Sequence, residues 1–106
     1  MKTHRKRWSL TQEELAHLLG ISRTAVSRLE KDDAPPSLRV ALALEVVFGL
    51  PPRALLPRLY RDVEEFVVQR AASFSVRAEE EGGPGLEARR ELLADIAGRA
   101  LGLFRA

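Results

Sequence analysis

The sequence contains no cysteine. Disulfides and thiolate metal sites are therefore excluded, as expected of a chain in the cytoplasm, where we place it. No apolar run is long enough to span a bilayer. The basic start, MKTHRKRW, is not followed by the apolar core of a signal peptide. The two histidines, His4 and His17, have no ligand spacing, so no metal is implied. No Ser–His–acid set or carboxylate pair assembles a reacting centre, and no phosphate-loop pattern is found. An enzyme is not expected, and no cofactor is implied. No segment alternates apolar and polar residues long enough to make a strand.

What remains is an amphipathic, helical chain. Its 106 residues suit one small domain, or one domain with an appendage. A hydrophobic fraction of 45% with 30% charged residues is that of a soluble globular protein. Charge is uneven along it. Through Pro57 there are nine Lys/Arg against six Asp/Glu, and from Arg58 onward eight against nine. A basic front half points to an anionic partner.

Local signals divide the chain into helices. Met1 to Trp8 reads as a short first helix with Met1 and Trp8 facing inward. Thr11-Gln12-Glu13-Glu14 is a capping box opening a second, which Gly20 stops. Ser22 caps a third, Arg23 to about Lys31. Asp32 to Pro36 is a loop. Ser37 caps a fourth helix, Leu38 to Phe48, ended by Gly49, and a single turn follows at Arg53–Leu56, closed by Pro57. Arg58 to about Ala78 is one helix with a stripe of Tyr60, Val63, Val67, Ala71, Phe74 and Ala78. Glu79–Glu81 place three acids at a helix C-terminus, where the dipole disfavours them, and with Gly82–Gly85 they read as a mobile loop. Leu86 to Phe104 is the last helix, with Leu86, Leu93, Ala97, Ala100 and Phe104 in line. Trp8, Leu15, Leu19, Val26, Leu29, Leu38, Leu42 and Val46 are the expected core, and His17 is expected at the surface.

The third helix is unusual. At about 100° per residue, Arg23, Thr24, Ser27, Arg28 and Lys31 fall within roughly 140° of arc. Ser22, Ala25, Val26 and Leu29 lie opposite. The polar arc carries cations and hydroxyls and no central carboxylate. Arginine can bond guanine O6 and N7 bidentately, and hydroxyls can meet several bases. A preceding amphipathic helix joined through a glycine turn completes a helix-turn-helix, whose second helix enters the major groove.

TQEELAHLLGISRTAVSRLE resembles the helix-turn-helix of the phage-repressor and Cro family, also called the XRE family of transcriptional regulators. Counted from Gln12, the matching positions are Leu15, Ala16, Leu19, Gly20, Ile21, Val26 and Leu29. Pro36-Ser37-Leu38 with its apolar helix, and the turn at Arg53–Leu56, resemble the family's fourth and fifth helices. The likeness covers Met1 to Pro57. ALALEVVFGLPPRALLPRLY also resembles a bacterial subgroup.

The resemblance implies an all-α fold: a five-helix repressor-like domain at residues 1–57, followed by a two-helix extension at residues 58–106. It implies a sequence-specific regulator of double-stranded DNA, acting as a repressor. Arg23, Thr24, Ser27 and Arg28 would read bases. Gln12, Ser22, Arg5 and Lys31 would meet the DNA backbone. Arg5 and Glu30 match a pair that forms a salt bridge in some relatives. Asp32 and Asp33 depart from the Gly, Asn and Lys common in relatives, and acids there would weaken phosphate contacts unless they point away. The one-sided C-terminal helices need a partner. A homodimer reading two half-sites is the preferred expectation, and a monomer with the helices packed back is its rival. An antitoxin or protein-interaction adaptor using those helices on a protein partner is the alternative function.

Overall fold

A computed structural model describes residues 1–33 and 35–102. Ala34, in the expected loop, and Phe104, on the expected last stripe, lie outside them. The described residues form seven helices and no strand: α1 (Lys2–Arg7), α2 (Gln12–Leu19), α3 (Arg23–Glu30), α4 (Leu38–Phe48), α5 (Pro52–Leu55), α6 (Pro57–Glu81) and α7 (Leu86–Ala100). The chain forms two compact units, Met1–Tyr60 and the part from Arg61 onward. No helix among the described residues is long and apolar enough to cross a membrane.

In the first unit, Leu15, Ala16, Leu19, Val26, Leu29, Leu44, Leu55 and Leu56 make one buried cluster. Met1, Val40, Ala43, Val47, Phe48, Leu50 and Leu59 pack around it. Helix ends fall where local chemistry requires. The Thr11 hydroxyl accepts from the Glu14 N–H at 3.1 Å, and the Glu14 carboxylate accepts from the Thr11 N–H at 2.8 Å. Those two bonds hold the exposed Glu14 carboxyl below its usual range. Ser22 and Ser37 accept from the Ala25 and Val40 N–H groups. Gly20 and Gly49 close α2 and α4 with φ of 70° and 68°, where a Cβ would be strained. Pro57 opens α6 rather than ending the turn before it, because the first helical residue needs no N–H partner.

Burial corrects four expected core positions. Leu38, Leu42 and Val46 are exposed, at 76%, 55% and 85%, whereas Leu44 is wholly buried. At 100° per residue Arg39 and Glu45 stand on either side of the Leu38, Leu42 and Val46 stripe, and they turn that side of α4 toward water. Val40, Ala43, Leu44, Val47 and Phe48 form the broader stripe at 3–1–3–1 spacing, and the broader stripe removes more surface from water. Trp8 is exposed, not core. Ser9 takes a left-handed φ of 56° and turns the chain, leaving the indole beside the Arg7 guanidinium. The residue of α1 that goes inside is Arg5. His17 is at the surface, as expected.

The second unit is a helical hairpin. Glu79–Glu81 are not loop but the last turn of α6, and only Gly82–Gly85 connect it to α7. Three acids at a helix C-terminus oppose its dipole. Two are matched by cations: Glu79 accepts two bonds from Arg90, at 2.7 and 2.8 Å, and Glu81 pairs with Arg77. Arg90 also bonds Glu87. The Arg90 bonds hold the Glu79 carboxyl below its usual range and push the guanidinium further up. Of the expected α6 stripe, Ala78 is buried and Ala71 half-buried, while Val63, Val67 and Phe74 stay exposed. The trough between α6 and α7 is lined instead by Val68, Ala71, Ala72, Ser75, Leu93, Ile96 and Ala97. The side of α6 turned to α7 carries alanine and serine, and its phenylalanines face outward.

The inner face of α4 is tested by truncation. Leu44→Ala should destabilise by about 2–5 kcal/mol, and Leu42→Ala should stay within about 0.5 kcal/mol of wild type. Urea denaturation followed by circular dichroism measures both.

Candidate nucleic-acid interface

The turn between α2 and α3 sets the geometry of the site. Left-handed Gly20 lets the Ile21 N–H return to the Ala16 carbonyl at 3.0 Å and the Gly20 N–H to His17 at 3.3 Å. Ser22, extended at φ −78°, then caps α3. Val26 and Leu29 anchor the inner side of α3 in the core. The outer side follows from that anchoring. Arg23, Thr24, Arg28 and Lys31 are exposed, and Ser27 is half-buried between them. Lys31 stands at the C-cap.

Glu30 is the only acid in α3, and it is withdrawn from this outer side. Arg5 donates to it from Nε at 2.6 Å and from Nη2 at 3.2 Å. The third bond of that guanidinium goes to the Leu10 carbonyl at 2.8 Å. Gln12 Nε2 donates to Glu30 at 3.0 Å, and Gln12 Oε1 accepts from Arg23 Nε at 3.4 Å. The side chains of Arg5 and Glu30 are only 9% and 4% exposed, so the pair is a buried one. Burial pushes the Glu30 carboxyl up. Hydrogen bonds from Arg5 and Gln12, with the charges of Arg5 and Lys2, outweigh it and hold the group below its usual range. Glu30 in turn raises the pKa of Arg5.

The sequence therefore located Arg5 well but gave it the wrong exposure. It was expected at the DNA backbone; it is buried, with donors committed to Glu30 and Leu10. Gln12 and Arg23 meet across an open cleft of about 570 Å³, whose other lining residues include Lys6, Ser9 and Thr11. Lys6 belongs to the basic run at residues 4–7. A second cleft, of about 270 Å³, joins Thr24 and Arg28 of α3 to Pro36 and Ser37 before α4. The departure at Asp32 also has a local explanation. Asp32 holds the left-handed position after α3, at φ 58°, and its carboxylate pairs with exposed Arg58 at 3.4 Å.

A helix-turn-helix family pattern of the XRE type matches residues 1–55, just over half of the chain. The chain belongs to that family. It is thus a DNA-binding transcription regulator. The chain is 40% identical over 50 residues to an uncharacterized HTH-type transcriptional regulator of Methanocaldococcus jannaschii, covering 47% of this chain and 76% of that protein. It is 46% identical over 48 residues to another from Methanothermobacter thermautotrophicus, covering 42% and 70%. It is 44% identical over 48 residues to an HTH-type transcriptional regulatory protein of Pyrococcus abyssi, of which the match covers 15%. No solved structure matches the chain.

Glu30 gives this site a pH signature. Its folded pKa lies below the unfolded value of about 4.3, so its contribution is complete above that value. It is lost as pH falls through the folded pKa. Glu30→Gln leaves Arg5 buried without its counter-charge and should cost about 3 kcal/mol at pH 7. In urea denaturation at stepped pH, the gap between variant and wild type should close as pH drops below about 4.

Proposed function

We propose that the protein is a sequence-specific repressor that occupies a double-stranded operator, with α3 in the major groove. The observation that carries this reading is the outer side of α3. It exposes Arg23, Thr24, Arg28 and Lys31, while its one carboxylate is held by Arg5 and Gln12. Exposed Glu13 lines the cleft beside Arg23, and Asp32 and Asp33 follow α3, but the outer side of the helix itself carries no unpaired acid. Arg23, Thr24, Ser27 and Arg28 set the base preference, and Gln12, Ser22 and Lys31 hold the register against phosphates. Arg5 acts from beneath, as a positioning residue for Glu30 and Gln12. The protein works in the cytoplasm by occupancy and needs no cofactor. A symmetric homodimer would place two recognition helices on half-sites about 34 Å apart.

A second reading gives the C-terminal helices a different protein as partner, as in an antitoxin or an adaptor. The exposed Val63, Phe66 and Phe74 favour it. A stable complex with a co-encoded protein would distinguish the two readings.

The test is selection from a random duplex pool, with enriched DNA retested by fluorescence anisotropy. An enriched inverted repeat is expected, and affinity should fall steeply with salt. A flat salt response would exclude DNA as the partner. Arg23→Ala or Arg28→Ala should cost about 1–3 kcal/mol on the selected site and relax one base. Lys31→Ala should weaken all sequences alike and lower the salt slope by about 1.

A further inference from the structure

Asp62, Phe66 and Arg70 follow one another at i, i+4 and i+8 along α6, all within the second unit. At 100° per residue they lie within about 80° of arc, as a single row. All three are exposed, and Phe66 keeps 62% of its surface. Val63 and Val67 widen the row and are exposed too. Among the described residues, neither Asp62 nor Arg70 has an ion-pair partner within the chain. The Arg70 guanidinium instead rests 5.9 Å from the Phe66 ring centre.

The row reads acid, aromatic, base. Reversed, it reads base, aromatic, acid, so it complements its own antiparallel copy. We propose that α6 pairs antiparallel with α6 of a second copy of this chain. A two-fold axis crosses at Phe66, and two reciprocal Asp62–Arg70 ion pairs close over Val63, Phe66 and Val67. With that axis, each ion pair stands about 6 Å along the helix from the crossing.

The register is specific. With Phe66 on the axis, Glu65 stands level with the partner's Val67, Glu64 with the partner's Val68 and Arg61 with the partner's Ala71. Arg58 stands level with the partner's Phe74. Asp62 with Arg70 is the sole match of charge to charge over residues 58–74, and it is attractive. Shifting the register by one, so that Arg61 stands level with the partner's Arg70, sets like charges together. Pairing would bury the aromatic and aliphatic surface that the hairpin leaves in water. This interface belongs to the homodimer proposed above and rests on that reading.

Sedimentation velocity and light scattering on the full chain test it, with circular dichroism as the check on folding. Wild type should be a dimer. Asp62→Arg and Arg70→Asp should each be monomeric, their dimer dissociation constants raised about a hundredfold or more by like charges brought together. An equimolar mixture of the two should recover the dimer, since an arginine then meets an aspartate at both positions. Arg70→Gln, a milder change on the same helix, should weaken the dimer by about tenfold and serves if a charge reversal unfolds the hairpin. Dimers that persist in both reversals would overturn the α6 interface and leave the homodimer reading standing. A mixture that stays monomeric would also overturn it. A monomeric wild type would overturn both.

Discussion

The ion pair between Arg5 and Glu30 is the constraint on which the recognition surface depends. It ties α1 to the last turn of α3, two elements 25 residues apart at the pair. Both side chains are nearly inaccessible. A buried pair of this kind adds little to stability compared with an apolar pair of equal volume, but breaking it leaves a charge stranded. Its value lies in specification. Glu30 accepts from both Arg5 and Gln12, and this fixes α3 about its own axis and fixes the side chain that opens α2. It also removes the one acid of α3 from the helix's outer surface. The same bonds therefore serve packing and electrostatics.

Around that pair the fold relies on backbone chemistry more than on a large core. Among the described residues, eight buried apolar side chains form the central cluster of the first unit. So small a unit is marginal on burial alone. Three hydroxyl caps and two left-handed glycines reduce the burden by satisfying helix ends locally. They also set the angle between α2 and α3. Gly20 and Ser22 meet opposite requirements within three residues: one ends a helix in the left-handed region, and the other begins the next from an extended backbone. Asp32 repeats the left-handed exit after α3 without glycine, a conformation that aspartate tolerates better than most residues.

These features explain what was legible in the sequence. Thr11–Glu14, Gly20, Ser22, Ser37 and Gly49 act within a few residues, and such signals can be read directly from a single chain. The polar arc of α3 was legible too, because Val26 and Leu29 leave only one way to turn the helix. Alternatives with nearly equal local merit were not legible. α4 is apolar at all but two positions, so apolar spacing suits either Leu42 or Leu44 to the core, and Arg39 and Glu45, which flank the Leu42 side, decide between them. On α6 the stripe with the largest side chains looked like the inner one. The side turned to α7 instead carries Val68, Ala71, Ala72 and Ser75, and the phenylalanines stay outside. Arg5 was legible as a partner of Glu30 but not as a buried residue, since burial of a charge depends on the second charge arriving. The glutamate run looked like a broken helix end because its dipole cost was visible, while the Arg90 that offsets it lies eleven residues further on.

The hydrogen-bond chain from Arg5 to Arg23 is graded in strength, and the grading says which member can move. Arg5 to Glu30 is short and charge-assisted on both sides. Gln12 to Glu30, at 3.0 Å, has one charged partner. Arg23 to Gln12, at 3.4 Å and exposed, is the weakest and lies at the edge of hydrogen-bond distance. An approaching anion or base edge therefore competes with very little for Arg23. Gln12 has to surrender a bond to a carboxylate before it can turn. The order of release runs outward: Arg5 and Glu30 stay, Gln12 stays as long as they do, and Arg23 is free to swing. In the reading of α3 as the groove-facing helix, this puts adaptability at the residue nearest the ligand and rigidity one bond behind it. A loss of Glu30 would then loosen Gln12 and Arg23 together, and the surface would lose its fixed geometry even where the fold survived.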